Sequence, residues 1–99
     1  MRIVSRKMLR AFWERQPDAR QPLEDWYRIT RNANWANLAE TRGNFAHADL
    51  AGTCTIFNIG GNKYRLITKI NYRWKMVYIR FVLTHAEYDR GGYANDCAS

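Results

Sequence analysis

The sequence predicts a single α+β domain spanning residues 1–99, on three observations. Two stretches in the first third carry apolar residues at helical spacing. Three later runs, rich in β-branched and aromatic residues, are separated by turn signals. No repeat, low-complexity tract or linker divides the chain. Helices first and strands afterwards is an α+β order, and it predicts two N-terminal helices packed on an antiparallel sheet.

The opening MRIV, residues 1–4, has strand character. Ser5 is placed to cap a helix in which Met8, Leu9, Phe12 and Trp13 form one stripe as far as about Gln16. Pro17 stops that helix because it has no N–H to continue the ladder. Asp18 suits the cap of a second helix, with Pro22 near its start and Leu23, Trp26, Tyr27 and Thr30 along one side. This helix fades into the asparagine-rich residues 32–34. Both stripes are expected against the sheet, so Trp13 and Trp26 read as core residues rather than base-stacking platforms. Residues 35–52 show no sustained periodicity and read as a long loop, the kind of segment that often lines a site. Phe45 and Leu50 would anchor it, and His47 has a minor role at most.

The strands follow. Residues 53–59 form the first long one, and Gly60-Gly61-Asn62 supplies a hairpin turn tolerant of positive φ. Residues 63–71 form the second, residues 72–75 a longer turn, and residues 76–83 the third.

Ninety-nine residues suffice for one modest core. Sixteen Lys and Arg against nine Asp and Glu leave a net charge of +7, and the surplus is uneven. From residue 50 to residue 86 there is no acid, while Lys63, Arg65, Lys69, Arg73, Lys75 and Arg80 all fall inside. Interspersed surface charge would show both signs, so a one-signed sheet points to an anionic partner. Arginine predominates, which favours forked contacts to phosphate. A membrane partner is excluded by the lack of a spanning apolar run or a basic amphipathic helix. With no secretory h-region after Met1, a cytoplasmic protein is expected. Cys54 and Cys97 have no metal-ligand spacing; the sequence leaves a disulfide between them open, but two cysteines do not make a secreted scaffold, and two unpaired thiols is the favoured reading.

Strand alternation sorts the cations. Tyr64, Leu66, Thr68 and Ile70 point one way from the second strand, and Arg65, Ile67, Lys69 and Asn71 the other. In the third strand Val77, Ile79, Phe81 and Leu83 make the apolar face, opposite Met76, Tyr78, Arg80 and Val82. With helices on the apolar faces, Arg65, Lys69 and Arg80 share an open face with Tyr78. Three cations and an aromatic can hold a phosphodiester backbone and stack a base. Asn62, Lys63, Arg73 and Lys75 lie in or beside turns and are candidates for general contacts to the same backbone.

The chain has no P-loop, dinucleotide fingerprint, HExxH or nucleophile elbow, and its carboxylates form no metal cluster. What remains is Thr84-His85-Ala86-Glu87-Tyr88-Asp89, directly after the third strand. One helical turn puts His85 and Tyr88 on the same side. A histidine and a phenol beside guanidiniums can cleave RNA without a metal. One group takes the 2′-hydroxyl proton, cations stabilise the phosphorane, and another group protonates the leaving 5′-oxygen. Glu87 is an alternative base, or faces solvent or pairs with an arginine.

The run FNIGGNKYRLITKINY followed by VYIRFVLTHAEYD resembles the HigB-type toxins of bacterial toxin–antitoxin modules, a branch of the RelE-like superfamily. The joint pattern of GGN-x-YRL and a closing TH-x-EYD carries the likeness, and the opening MRIVSRKMLRAFWERQPDAR fits it. The resemblance implies two N-terminal helices on a twisted antiparallel sheet and an endonuclease acting on ribosome-bound mRNA. It implies no metal or organic cofactor. The implied partner is a helix-turn-helix antitoxin of the HigA type. Carried onto this sequence, it points to Arg65, His85 and Tyr88. Together with the face argument, the expected catalytic group is His85 for proton transfer, Arg65 and Lys69 for phosphate stabilisation, and Tyr88 for positioning or stacking. After Asp89 the chain departs from the family pattern with Arg90-Gly91-Gly92-Tyr93 and a polar tail, where more helix is expected. Tyr93 reads as a substitute anchor or part of a frayed end. The competing reading is a non-catalytic RNA- or ribosome-binding module using the same basic face. A DNA-binding regulator is disfavoured because no recognition helix is evident.

Overall fold

The computed structural model describes residues 1–98. Its five-stranded sheet runs β1 (Arg2–Val4), β5 (Met76–Thr84), β4 (Tyr64–Asn71), β3 (Cys54–Ile59) and β2 (Asp49–Ala51) from edge to edge. The α-helices are α1 (Lys7–Arg15), α2 (Arg20–Asn32), α3 (Leu38–Asn44), α4 (His85–Asp89) and α5 (Ala94–Cys97). The α+β class therefore holds, with five α-helices among the described residues. The sheet is mixed rather than antiparallel, because β1 pairs parallel to β5.

The helical stripes decide where α1 and α2 sit. Leu9 and Phe12 of α1 and Leu23 and Trp26 of α2 are buried in one core with Phe57, Leu66, Val77 and Ile79 of the sheet. Burying each large apolar side chain of this kind is worth about 1.5–3 kcal/mol. Trp26 meets Phe57 edge-on at 5.4 Å between ring centroids, and Phe57 in turn contacts Phe45 and Trp35. Trp26 is thus a core residue, as its position in the helical stripe requires.

The caps differ from expectation. Ser5 stands at φ 76° and lends only its carbonyl to Met8, at 3.0 Å, while the cap position is Arg6. Pro17–Ala19 forms a 3-10 turn, so Asp18 caps nothing. Its carboxylate instead receives Lys63 Nζ at 2.7 Å and the Tyr64 hydroxyl. The expected long loop also contains structure. Asn37 Oδ1 accepts from Glu40 N–H and Glu40 Oε1 accepts from Ala36 N–H, each at 2.9 Å, which starts α3. β2 then pairs antiparallel with β3.

Between β4 and β5 the register slips. Ile67 faces Phe81 and Thr68 faces Ile79, so Arg80 is an extra residue on β5. The bulge inverts the alternation beyond it. Val82 joins the main core beside Leu66, whereas Phe81 and Leu83 turn to the opposite face. The uninterrupted alternation expected for residues 76–83 is therefore corrected: a one-residue insertion exchanges every later side chain between faces.

Candidate functional site

On the face away from α1 and α2, the described chain end folds back across the sheet. Cys54, Ile56, Ile67 and Cys97 form a second small core, with Phe81, Leu83, Tyr88 and Tyr93 packed on it. Cys54 and Cys97 are joined as a disulfide, which overturns the reading of two unpaired thiols. The two stand 43 positions apart in sequence, and only the return of the chain brings them together. The tail is not frayed: Tyr93 stacks on Tyr88 at 5.0 Å with the rings 8° from parallel.

Three of the four catalytic candidates, Arg65, His85 and Tyr88, come from elements that meet at the β4–β5–α4 corner. His85 begins α4, directly after β5, and its N–H donates to Lys63 O at 3.1 Å. Thr84 and Glu87 close a capping box: Glu87 N–H donates to Thr84 Oγ1 at 3.2 Å and Thr84 N–H to Glu87 Oε1 at 2.9 Å. That backbone hydrogen bond holds the Glu87 carboxyl below its ordinary range. Glu87 is therefore committed to the helix start. One turn on, Asp89 Oδ2 lies 2.9 Å from His85 Nδ1. A carboxylate only accepts, so Nδ1 carries the hydrogen and Nε2 is the basic nitrogen of the neutral ring. Asp89 has no role in the sequence reading, although its i,i+4 spacing from His85 is the signal for this pair.

Arg65 is buried on β4, opposite Leu83. Its Nη2 donates to Asn62 Oδ1 at 2.6 Å, and its Nη1 to the carbonyls of Asn62 and Tyr64 at 3.2 Å. Its guanidinium lies 5.2 Å from the centre of the Tyr88 ring. The glycine-rich turn thus holds this arginine, and Asn62 serves as its clamp. Arg65 and Tyr88 border an open recess of about 300 Å³ that His47, Asp49 and Asn58 also line. His47 is brought closer to the candidate site than expected.

The other cations divide. Lys69, expected in the catalytic group, lies four residues beyond Arg65, roughly 13 Å along β4. It faces Tyr78, which is exposed, and its Nζ is 3.9 Å from Asp96. Arg80, pushed out by the bulge, grips the same carboxylate with Nε and Nη2, each at 2.8 Å. Those bonds hold Asp96 below the usual carboxylate range and raise Arg80. The stretch without acids is therefore neutralised in part: Asp96 meets Arg80 and Lys69, and Asp18 meets Lys63. Arg73 and Lys75 lie at the far end of β5, roughly 30 Å from His85. There Arg73 sits over Trp74, and Lys75 donates to Trp35 O at 2.8 Å. They do not belong to the corner.

Among the described residues, no three His, Cys, Asp or Glu side chains gather as a metal site. No described helix is long and apolar enough to cross a membrane. A recess of about 450 Å³ between α1 and α2, lined by Arg6, Trp13, Tyr27 and Arg31 among others, lies on the helical side.

The profile of the HigB toxins, described as the RelE-like toxic component of a toxin–antitoxin system, matches residues 19–91. The chain belongs to the HigB toxin family. The matched stretch contains α2, the four strands from β2 to β5 and α4, and so the whole His85 corner. The mRNA interferase HigB of Escherichia coli O6:H1 is 26% identical over 93 residues, covering 91% of this chain and 90% of its own length. The mRNA interferase toxin HigB of Escherichia coli K12 and the mRNA interferase HigB of Shigella flexneri are each 44% identical over 34 residues. Those shorter matches cover 34% of this chain and 33% of the relatives.

Proposed function

We propose that this HigB-family chain, as one domain over residues 1–99 with a RelE-like fold, is a ribosome-dependent mRNA endoribonuclease that halts translation. It would be the toxin of a pair whose other member is a HigA-type helix-turn-helix antitoxin. The observation that supports the reading is that the pairing of β4 with β5 brings two units to one corner of the sheet, the His85–Asp89 pair at the start of α4 and the Arg65–Tyr88 stack. Family membership supplies the class of substrate.

Cleavage needs two proton transfers and a stabilised phosphorane. The 2′-oxygen attacks the adjacent phosphorus, the P–O5′ bond breaks, and the products are a 2′,3′-cyclic phosphate and a 5′-hydroxyl. His85 Nε2 is the proton-transfer atom, because Nδ1 is committed to Asp89: it takes the 2′-hydroxyl proton and, as the imidazolium so formed, gives it to the leaving 5′-oxygen. Arg65 supplies fixed positive charge toward the phosphorane, and its clamp removes the need to reorganise during reaction. Tyr88 positions Arg65 and offers a ring for stacking. Lys69, Arg80 and Tyr78 belong to backbone binding, because they lie farther along the sheet. No metal enters this scheme, since imidazole and guanidinium cover both the proton transfers and the charge.

The test is inducible expression with mapping of transcript ends, beside folded His85→Ala and Arg65→Ala variants. Cuts at ribosome positions that vanish in both variants are expected. Growth arrest with intact messages would leave a binding module, and unchanged cutting by both variants would remove this corner from the chemistry.

A further inference from the structure

We propose that Arg80 and Lys69 form a phosphate subsite that the chain's own Asp96 occupies, so that the docked tail competes with a polyphosphate ligand for this face. The identification of that ligand as an RNA backbone rests on the function proposed above. The Asp96 carboxylate stands where two oxygens of a phosphodiester would sit: Arg80 meets it with a two-pronged contact at 2.8 Å, and Lys69 approaches at 3.9 Å. A planar guanidinium fork serves carboxylate and phosphate alike. Arg80 lies five residues before His85, roughly 15 Å along β5, so the subsite holds a phosphate away from the bond that is cut.

Three further contacts show that the tail is built to dock. Tyr93 stacks on Tyr88, which itself underlies Arg65. Cys97 O accepts from Thr53 N–H at 2.7 Å. Gly52, at φ +59°, lets that carbonyl approach so closely that a Cβ there would lie 1.9 Å from Cys97 O. The disulfide to Cys54 then ties the docked segment to β3.

The tie makes the competitor redox-dependent. A thiolate of a dithiol reductant attacks one sulfur of the pair and forms a mixed disulfide. The second thiol of the reductant displaces the remaining cysteine. Two electrons pass from the dithiol, which becomes a disulfide, and Cys54 and Cys97 leave as thiols. Both sulfurs belong to buried residues, but Cys97 borders an open recess with Gly52 and Tyr93. An untied tail leaves the subsite open for part of the time, and the apparent affinity rises with that fraction.

The experiment measures binding of two probes, a short single-stranded 2′-O-methyl RNA and linear polyphosphate. It compares oxidised protein, protein reduced with dithiothreitol, and oxidised Asp96→Asn and Gly52→Ala variants. Asp25→Asn on α2 makes the same charge change as Asp96→Asn far from the subsite and serves as the control. Reduction, Asp96→Asn and Gly52→Ala are each expected to tighten binding about fivefold to tenfold, with the control unchanged. Equal affinities across all forms, with the thiol state verified by mass, would overturn the proposal even if messages are still cut. Equal tightening by the control and by Asp96→Asn would overturn it too. Tightening for polyphosphate but not for RNA would establish the subsite and remove RNA as its ligand.

Discussion

His85 and Asp89 face each other across one turn of α4, with Nδ1 and Oδ2 2.9 Å apart. The pair is half-exposed, so its contribution to stability is small. Its effect is on the ring: the hydrogen stays on Nδ1, and the basic lone pair stays on Nε2. The first prediction follows from this division. Asp89→Asn and Asp89→Ala should fold normally yet cut message about tenfold more slowly, while His85→Ala should lose about 10²-fold or more. Cleavage rates on ribosomes would check this, and an Asp89→Ala protein cutting at the parental rate would remove Asp89 from the site.

The disulfide closes a loop across a sequence separation of 43 residues. A chain-entropy argument gives about 4 kcal/mol for a loop of that length, and measured effects usually fall at about 2–4 kcal/mol. Reduction should therefore lower the urea midpoint of unfolding without dissolving the main core, which lies on the other face. Equilibrium unfolding of oxidised and reduced protein would show it. An unchanged midpoint would mean that the tail contributes nothing to stability.

Asp18 links the turn after α1 to the start of β4, and it sets the sign of the pH response. The hydrogen bond from Lys63, then that from Tyr64, holds its carboxyl below the usual 3.8. The folded value lies under the unfolded one, so this stability is present above about pH 4 and is lost as pH falls through the folded value. Tyr64 reports the other end. Its hydrogen bond to Asp18 pushes the phenol from 10 up to about 12. That contribution is complete below pH 10 and is lost as pH rises through about 12. Asp18→Asn should flatten both limbs of the profile of unfolding midpoint against pH. Profiles that overlay at both extremes would show that Asp18 carries neither.

The helices and strands whose side chains repeat with a clear period were legible in the sequence: Leu9, Phe12, Leu23 and Trp26 are buried where their spacing puts them. Arg65, Lys69 and Arg80 do share the face away from the helices, since Lys69 and Arg80 meet one carboxylate and Arg65 lies on alternate positions of β4. What was not legible depends on contacts distant in sequence or on a single residue of register. The bulge at Arg80 has no local signature, yet it exchanges Phe81 with Val82. The disulfide and the Asp96 contact arise only because the chain returns across the sheet. A stretch without acids says nothing about the acids that folding brings to it. The Asn37–Glu40 cap was readable as N-x-x-E, but the absence of an apolar stripe around it hid the helix.

Tyr88 separates two roles that the sequence left together. Its ring lies beneath Arg65 and against Tyr93, contacts that phenylalanine can keep. The Tyr93 phenol is pushed up to about 12, first by the neighbouring Tyr88 phenol and then by burial. If the ring is what matters, Tyr88→Phe should cut message within about threefold of the parent, whereas Tyr88→Leu should fall about 10²-fold as Arg65 loses its platform. If the phenol moves a proton, both variants should fail alike. Cleavage rates for the two, with near-ultraviolet circular dichroism to confirm that the corner stays packed, decide between platform and acid. Equal failure would leave His85 and Tyr88 as the two proton carriers.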